Sequence, residues 1–265
     1  MKIEKIVIVG GGSSAHVLIP FLSNKYKDIS ILTSKPQLWK KDITTEWHNT
    51  DGSIKKIFEG YLTIASNEAS KIIPDADIII FCMPVYKYNE ALNNVIPYIN
   101  QSKKVLLGAI YGQGGFNWMV NDIRKKYSLL NVKAFTMGLI PWIARIKEYG
   151  SVGITYGQKS VNVVAFEDHE DFAKYEDFLD TLCFEHFGTG KFKQAKNFLS
   201  LTLSVDNQII HTSRMFGLYK VSGGKWNKLE DVPYFYRDYD DLSAELLASL
   251  DNDYSKIRNK IIDLI

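Results

Sequence analysis

Residues 6–18 read IVIVGGGSSAHVL: four β-branched residues run into three glycines, and a helix-friendly stretch follows. An apolar residue at every step, with no polar alternation, describes a strand covered on both faces, as in a parallel sheet. Gly10-x-Gly12-x-x-Ala15 fits the G-x-G-x-x-G/A pattern placed between a strand and a helix. Each small residue has a physical task there. Gly10 permits the tight turn, Gly12 lets backbone approach a pyrophosphate, and Ala15 allows close helix–strand contact. Gly11, Ser13 and Ser14 complete the loop, and the first turn of the helix offers free N–H groups and a positive dipole end to an anion. The alternative is a purely structural turn.

The alternation continues downstream. Strands are expected at 28–34, 76–84, 103–112, 132–141 and 160–167, with helices at 13–26, 89–99 and 116–127. The stretch 46–66 reads as an excursion, a hairpin turning at Asp51-Gly52. After about residue 168 the pattern reads helical. The fold expected is α/β: a Rossmann-type doubly wound parallel sheet followed by a smaller all-α domain. The domains expected are residues 1–192, a NAD(P)-binding Rossmann-like domain, and residues 193–265, a helical substrate or dimerisation domain.

A dinucleotide is the ligand such a loop suits. In NAD-specific sites an acidic residue ends the second strand and holds the ribose 2′-OH. Here that strand ends in Thr33, Ser34 and Lys35, two hydroxyls and an ammonium, which suit a 2′-phosphate better. NADP(H) is therefore favoured, with NAD(H) as the alternative. Met83 and Pro84 close the strand at 76–84, where the crevice of an open α/β sheet should lie; the loop PVYKY (84–88) is read as passing the nicotinamide ribose, with a simple strand terminator as the alternative.

The bulk properties bound the rest. The chain has 265 residues, 46% of them hydrophobic and 13% aromatic, enough for a proper core. A net charge of +2 with interleaved signs does not point to nucleic acid or to a polybasic membrane surface. Cys82 and Cys183 have no metal-like spacing and read as reduced, buried thiols, and no pair of histidines has the spacing of a metal site. No segment reaches the ~20 apolar residues of a membrane helix. A cytoplasmic protein without nucleic-acid or membrane partners is the expectation.

Beyond the glycine loop, the chain resembles the octopine/nopaline (opine) dehydrogenase family along nearly its full length. The resemblance rests on VGGGSSAHVL (9–18), LTSKPQLW (32–39), GQGGFNW (112–118), LIPWIARIKEYG (139–150), NQIIHTSRMF (207–216) and VPYFYRDYDDLSAELLASLDNDY (232–254). It implies NAD(P)H-dependent reductive condensation of an amino acid with a 2-oxo acid, small-molecule substrates joined as an imine that then receives a hydride. Carried over, His211 would be the catalytic acid/base, since an imidazole can polarise a keto oxygen and shuttle a proton. Asn207, one helical turn earlier, would share its face and fix the cofactor's nicotinamide or orient the substrate. Arg145 is read as a bidentate partner for a substrate carboxylate, with a structural salt bridge as the alternative. Gln113 and Thr136, at strand ends facing the expected crevice, are further substrate candidates. Of the other histidines, His16 is expected to pack in the first turn of its helix, and His48, His169 and His186 to lie on the surface.

The resemblance also implies a longer helical domain, carrying an Arg-x-x-x-x-Asp element whose aspartate orients the histidine. Arg258 and Asp263 have that spacing after His211, but no element of this kind is assigned here. A homodimer through exposed helical surface is compatible with that. Two rivals stay open. One is another Rossmann-plus-helical dehydrogenase of glycerol-3-phosphate or ketopantoate type, which would rely on a lysine such as Lys196. The other is a catalytically inactive NADP-binding module.

Overall fold

Residues 2–204 and 206–263 are described by the computed structural model. The strands are β1 (Lys5–Val9), β2 (Asp28–Leu32), β3 (Asp42–His48), β4 (Ile54–Tyr61), β5 (Ile64–Ser66), β6 (Ile78–Phe81), β7 (Val105–Ala109), β8 (Val132–Met137), β9 (Trp142–Glu148), β10 (Val152–Gln158), β11 (Val161–Phe166) and β12 (Lys191–Gln194). The first helices are α1 (Ser13–Ser23), α2 (Ala69–Ile72), α3 (Tyr88–Val95) and α4 (Phe116–Lys126). They are followed by α5 (Asp171–Lys174), α6 (Glu176–Leu182), α7 (Phe184–Phe187), α8 (Phe198–Leu203), α9 (Asn207–Ser222) and α10 (Asp241–Ile262).

Eight strands form the main sheet in the order β12-β11-β8-β7-β6-β1-β2-β5. The inner strands are buried along their length, as continuous apolar runs require when helices cover both faces. Pairing is parallel from β5 to β8 and between β11 and β12, and antiparallel only where β11 meets β8. The doubly wound fold read from the sequence is therefore present, with one reversed strand pair. The order reverses between β1 and β6, whose registers align Val9 with both Leu32 and Phe81. That reversal is where an open α/β sheet presents a crevice.

A second sheet, β4-β3-β10-β9, lies against α1. Its β3–β4 hairpin turns through Asp51-Gly52, with Gly52 at a φ of +87°. The β9–β10 pair was not anticipated, because residues 142–158 show no clean alternation. With this sheet on its outer side, α1 is buried without a break from Ala15 to Ser23. The helix has no polar face, as a helix covered all round should. Phe21 meets the rings of Phe58 at 5.1 Å, Trp142 at 5.7 Å and Phe187 at 5.6 Å, and stacks on His186 at 4.2 Å.

Two histidines expected on the surface are thus placed otherwise. His186 is half-buried in this aromatic cluster. The half-buried His48 pairs through Nε2 with Glu46 Oε2 at 2.7 Å within the second sheet. His169 is exposed, as expected, and Nε2 lies 2.6 Å from Lys196 O. The stretch after residue 168 is not all helical either. β12 adds to the main sheet beside β11, so the sheet continues to Gln194. By internal contacts the chain divides into Met1–Thr202 and Leu203–Ile265, ten residues later than the composition change suggests.

In the second unit, α9 is capped by Gly223 in the left-handed region and α10 by Asp240, whose carboxylate accepts from Ser243 N at 2.7 Å. Arg214 is fully buried on α9. It donates to the Asp240 carboxylate, to Ser243 Oγ at 3.3 Å and to Asp238 O at 2.7 Å.

Gly60 on β4 shows how closely the second sheet approaches α1: a Cβ there would lie 2.4 Å from the Pro20 Cα. Since backbone cannot give way as a flexible side chain can, Gly60→Ala should cost about 1–3 kcal/mol. Urea denaturation would register this as a lower midpoint with an unchanged slope. An unchanged midpoint would show that the sheet does not press on the helix.

Candidate functional site

The loop after β1 is built from its neighbours inward. Gly10 N donates to Leu32 O at 2.8 Å, and Cys82 N to Val9 O at 2.8 Å, so the ends of β2, β1 and β6 are held in line. Gly10 has a φ of +107°, and a Cβ on it would stand 2.6 Å from Cys82 O. Only glycine suits both conditions. Gly11 is hemmed differently: a Cβ would meet Tyr149 Oη at 2.7 Å and Thr33 Oγ1 at 2.8 Å. Gly12 is the N-cap of α1, with extended backbone and no side-chain cap. The first amides of the helix, at Ser13 and Ser14, are therefore not satisfied by a capping side chain and present the positive dipole end.

A cavity of about 540 Å³ opens beside this loop, lined by Gly10, Gly11, Thr33, Ser34, Met83 and Tyr149 among others. Its volume falls in the usual range of small-molecule sites. Five residues singled out from the sequence thus come together. Ala15 is buried behind them, and Pro84 is exposed just beyond Met83. Thr33 is nearly buried, its Oγ1 accepting from Lys35 N at 3.4 Å. Lys35 is exposed, with Nζ 6.0 Å from the Tyr149 ring centre. The glycine cradle, the uncapped helix end and the hydroxyl-lined corner fit a dinucleotide with its diphosphate on the loop.

Of the cavity's other walls, the sequence points only to Lys87, in the loop PVYKY (84–88). Lys87, Glu90, Ala91 and Asn94 line it from the start and body of α3. Their i, i+3, i+4, i+7 spacing marks one helix face, a signal present in the sequence. Tyr149 carried no such signal, because the β9–β10 turn that delivers it was not foreseen. Lys87 and Glu90 also pair with each other at 3.1 Å.

Gln113 and Thr136 are not where they were expected. Gln113 is buried, donating to Gly138 O at 3.2 Å, and Thr136 is fully buried. The reason is a close approach of two strand ends. Gly112 N bonds to Met137 O at 2.7 Å, and the space a Gly112 Cβ would need is filled by the Thr136 side chain. Arg145 is exposed on β9, donates to Ala144 O at 2.8 Å, and forms no salt bridge among the described residues.

His211 and Asn207 lie on α9 in the second unit, one turn apart on one face. The exposed His211 ring packs at 4.8 Å on Phe235 and 6.3 Å from Tyr236, and among the described residues no carboxylate pairs with it. Arg237 and Asp238 pair with each other instead. Cys82 and Cys183 are buried and free, and burial pushes the Cys183 thiol up to about 12. Among the described residues, no group of side chains could hold a metal, and no helix is long and apolar enough to cross a membrane.

Two imidazoles are held as neutral groups. Burial pushes His16 and His186 below the ordinary 6.5, against the carbonyls of Gly12 and Phe21 that favour the charged form. Once unfolded, both would accept a proton at 6.5, so between the folded values and 6.5 the unfolded chain binds more protons. Their contribution is complete above pH 6.5 and is lost as pH falls below it. Thermal unfolding followed from about pH 7.5 to about pH 5.5 should show a falling midpoint. A midpoint that rises or stays level would contradict this assignment.

No family model matches the chain. The octopine dehydrogenase of Pecten maximus is 25% identical over 97% of this chain, and that of Mizuhopecten yessoensis 24% over 97%. This chain spans 65% and 64% of their lengths, just under two thirds. The structure of octopine dehydrogenase with NADH and L-arginine matches with a TM-score of 0.78 at 23% identity, over 99% of this chain and 65% of that one. Yersinopine dehydrogenase with NADP+ bound gives 0.64 at 12% identity, over 81% and 53%. Over nearly all its length, this chain is similar to the octopine dehydrogenases, and it shares their fold.

Proposed function

We propose that the chain carries the dinucleotide-binding and proton-transferring parts of an opine dehydrogenase-type oxidoreductase, one that acts on CH–NH groups by joining an amino acid to a 2-oxo acid through an imine. What carries the reading is the glycine-walled cavity at the β1/β6 reversal, together with similarity to octopine dehydrogenases that extends past His211. Bound nicotinamide cofactor supplies the hydride; the chain's own residues bind, orient and move protons.

In this reading, backbone amides at Gly11, Gly12, Ser13 and Ser14 receive the diphosphate, and Ala15 keeps the helix close behind it. Met83 and Pro84 wall the side toward the nicotinamide. The exposed His211 imidazole gives and takes the proton as water leaves the carbinolamine. Asn207 on the same face orients the reacting partner, and Arg145 offers its fork to a carboxylate. Arg214 ties down the segment that sets Phe235 and Tyr236 against His211.

Thr33, Ser34 and Lys35 support NADP(H) over NAD(H), since no carboxylate stands at the end of β2 to accept from a ribose hydroxyl. Glu90 lines the same cavity from α3, where it pairs with Lys87. Lys35→Ala should weaken NADPH binding by roughly tenfold, about 1.5 kcal/mol, and leave NADH binding nearly unchanged. Equal effects on both cofactors would remove Lys35 from the discrimination.

The activity is tested by mixing NADPH with pyruvate or glyoxylate and a panel of amino acids and following nicotinamide absorbance. Consumption that needs both substrates is expected. It should fall by about 100-fold or more in His211→Ala while NADPH binding persists. Tight binding without turnover on any amine would instead select the inactive-module reading.

A further inference from the structure

We infer that His16 is a positioning residue for the diphosphate, a buried imidazole that clamps the glycine loop and aims the Ser13 amide outward. This rests on the dinucleotide reading above and deepens it.

The ring is fully buried and both its nitrogens are engaged. Nε2 lies 2.8 Å from Gly150 N, and a backbone amide can only donate. Nε2 is therefore the acceptor, and the proton sits on Nδ1. Nδ1 is 2.9 Å from Gly12 O and donates to it. One bond thus decides the tautomer, and the tautomer makes the other bond.

Gly12 O also accepts from Ala15 N at 3.1 Å and His16 N at 3.4 Å. Three donors converge on one carbonyl, which fixes the plane of the Gly12–Ser13 peptide. That peptide is trans, so its N–H points opposite to its C=O. Holding the carbonyl into the protein directs the Ser13 N–H away from it, at the uncapped end of α1 where an anion would rest.

The same ring reaches the rest of the cavity. Trp39 packs on it at 4.4 Å and Tyr149, a cavity wall, at 5.4 Å. Gly150, the donor to Nε2, accepts from Lys40 N at 2.9 Å, and a Cβ on it would clash with Leu38 O. From the other side, Thr45 Oγ1 donates to His16 O at 2.9 Å. The imidazole therefore locks the glycine loop to the segment after β2 and to the β9–β10 turn. The plain alternative is a core filler that matters for stability alone.

Two measurements on the full chain decide. Nitrogen-15 NMR of the histidine rings should show His16 neutral, with the proton on Nδ1. A proton on Nε2, or a ring titrating as an ordinary exposed imidazole, overturns the inference. NADPH affinity is then compared in His16→Leu, which removes both bonds, and His16→Asn, whose amide can still donate to Gly12 O. Folded His16→Leu should bind roughly tenfold more weakly, as for one lost and poorly replaced bond, with His16→Asn recovering most of the loss. Wild-type affinity in His16→Leu, or no recovery in His16→Asn, leaves only the filler and overturns the inference. Should His16→Leu not fold, the ring NMR and His16→Asn still decide. If the unaltered chain binds neither NADPH nor NADH, the dinucleotide reading itself fails, whereas a failure confined to the variants falls on His16 alone.

Discussion

The amino end of α1 must stay bare while nearly every other surface of that helix is buried. The main sheet covers one side and the second sheet the other, so Ala15 to Ser23 see little water. A helix end that offers free amides costs stability unless something else satisfies or orients them. Around this end nothing is left loose: Gly10 is held to Leu32, Gly11 stands between Tyr149 and Thr33, and Gly12 accepts three donors. The fold thus concentrates rigidity at a helix end where an anion can supply the missing partners.

That constraint explains why a second sheet belongs to this fold at all. It supplies Gly150 to the His16 ring and Tyr149 to the cavity wall, and it covers the apolar outer side of α1. The second unit is organised by a different device. A buried arginine, Arg214, gathers a carboxylate and backbone carbonyls, so that breaking it would strand buried charge. Its effect is to hold in place the aromatic residues beside His211.

Much of this could be read from the chain. Continuous apolar runs at Ile6–Val9 and Ile78–Phe81 announce strands covered on both sides, and the glycine spacing marks the reversal point. The unbroken apolar stretch from Val17 to Leu22 already lacks a polar face, a sign that something covers α1 from outside. What covers it was half visible. The Asp51-Gly52 turn betrays one hairpin, but β9 exposes Ile143, Arg145 and Lys147 on one side and buries only Trp142 and Ala144 on the other. Such a mixed pattern hides a strand. β12 is hidden too, because four residues among charges carry little periodicity. Gln113 and Thr136 were put in the crevice by their position at strand ends. The close approach at Gly112, a long-range contact, turned them inward.

The decisive contact is the one between the glycine-loop amides and a ligand. Titrating NADPH into isotope-labelled protein and following backbone amide resonances tests it most directly. Saturable shifts centred on Gly11, Gly12, Ser13 and Ser14, with Ser34 and Lys35 moving alongside, are what the account predicts. Saturable binding that leaves those resonances still, or no binding at all, would contradict it.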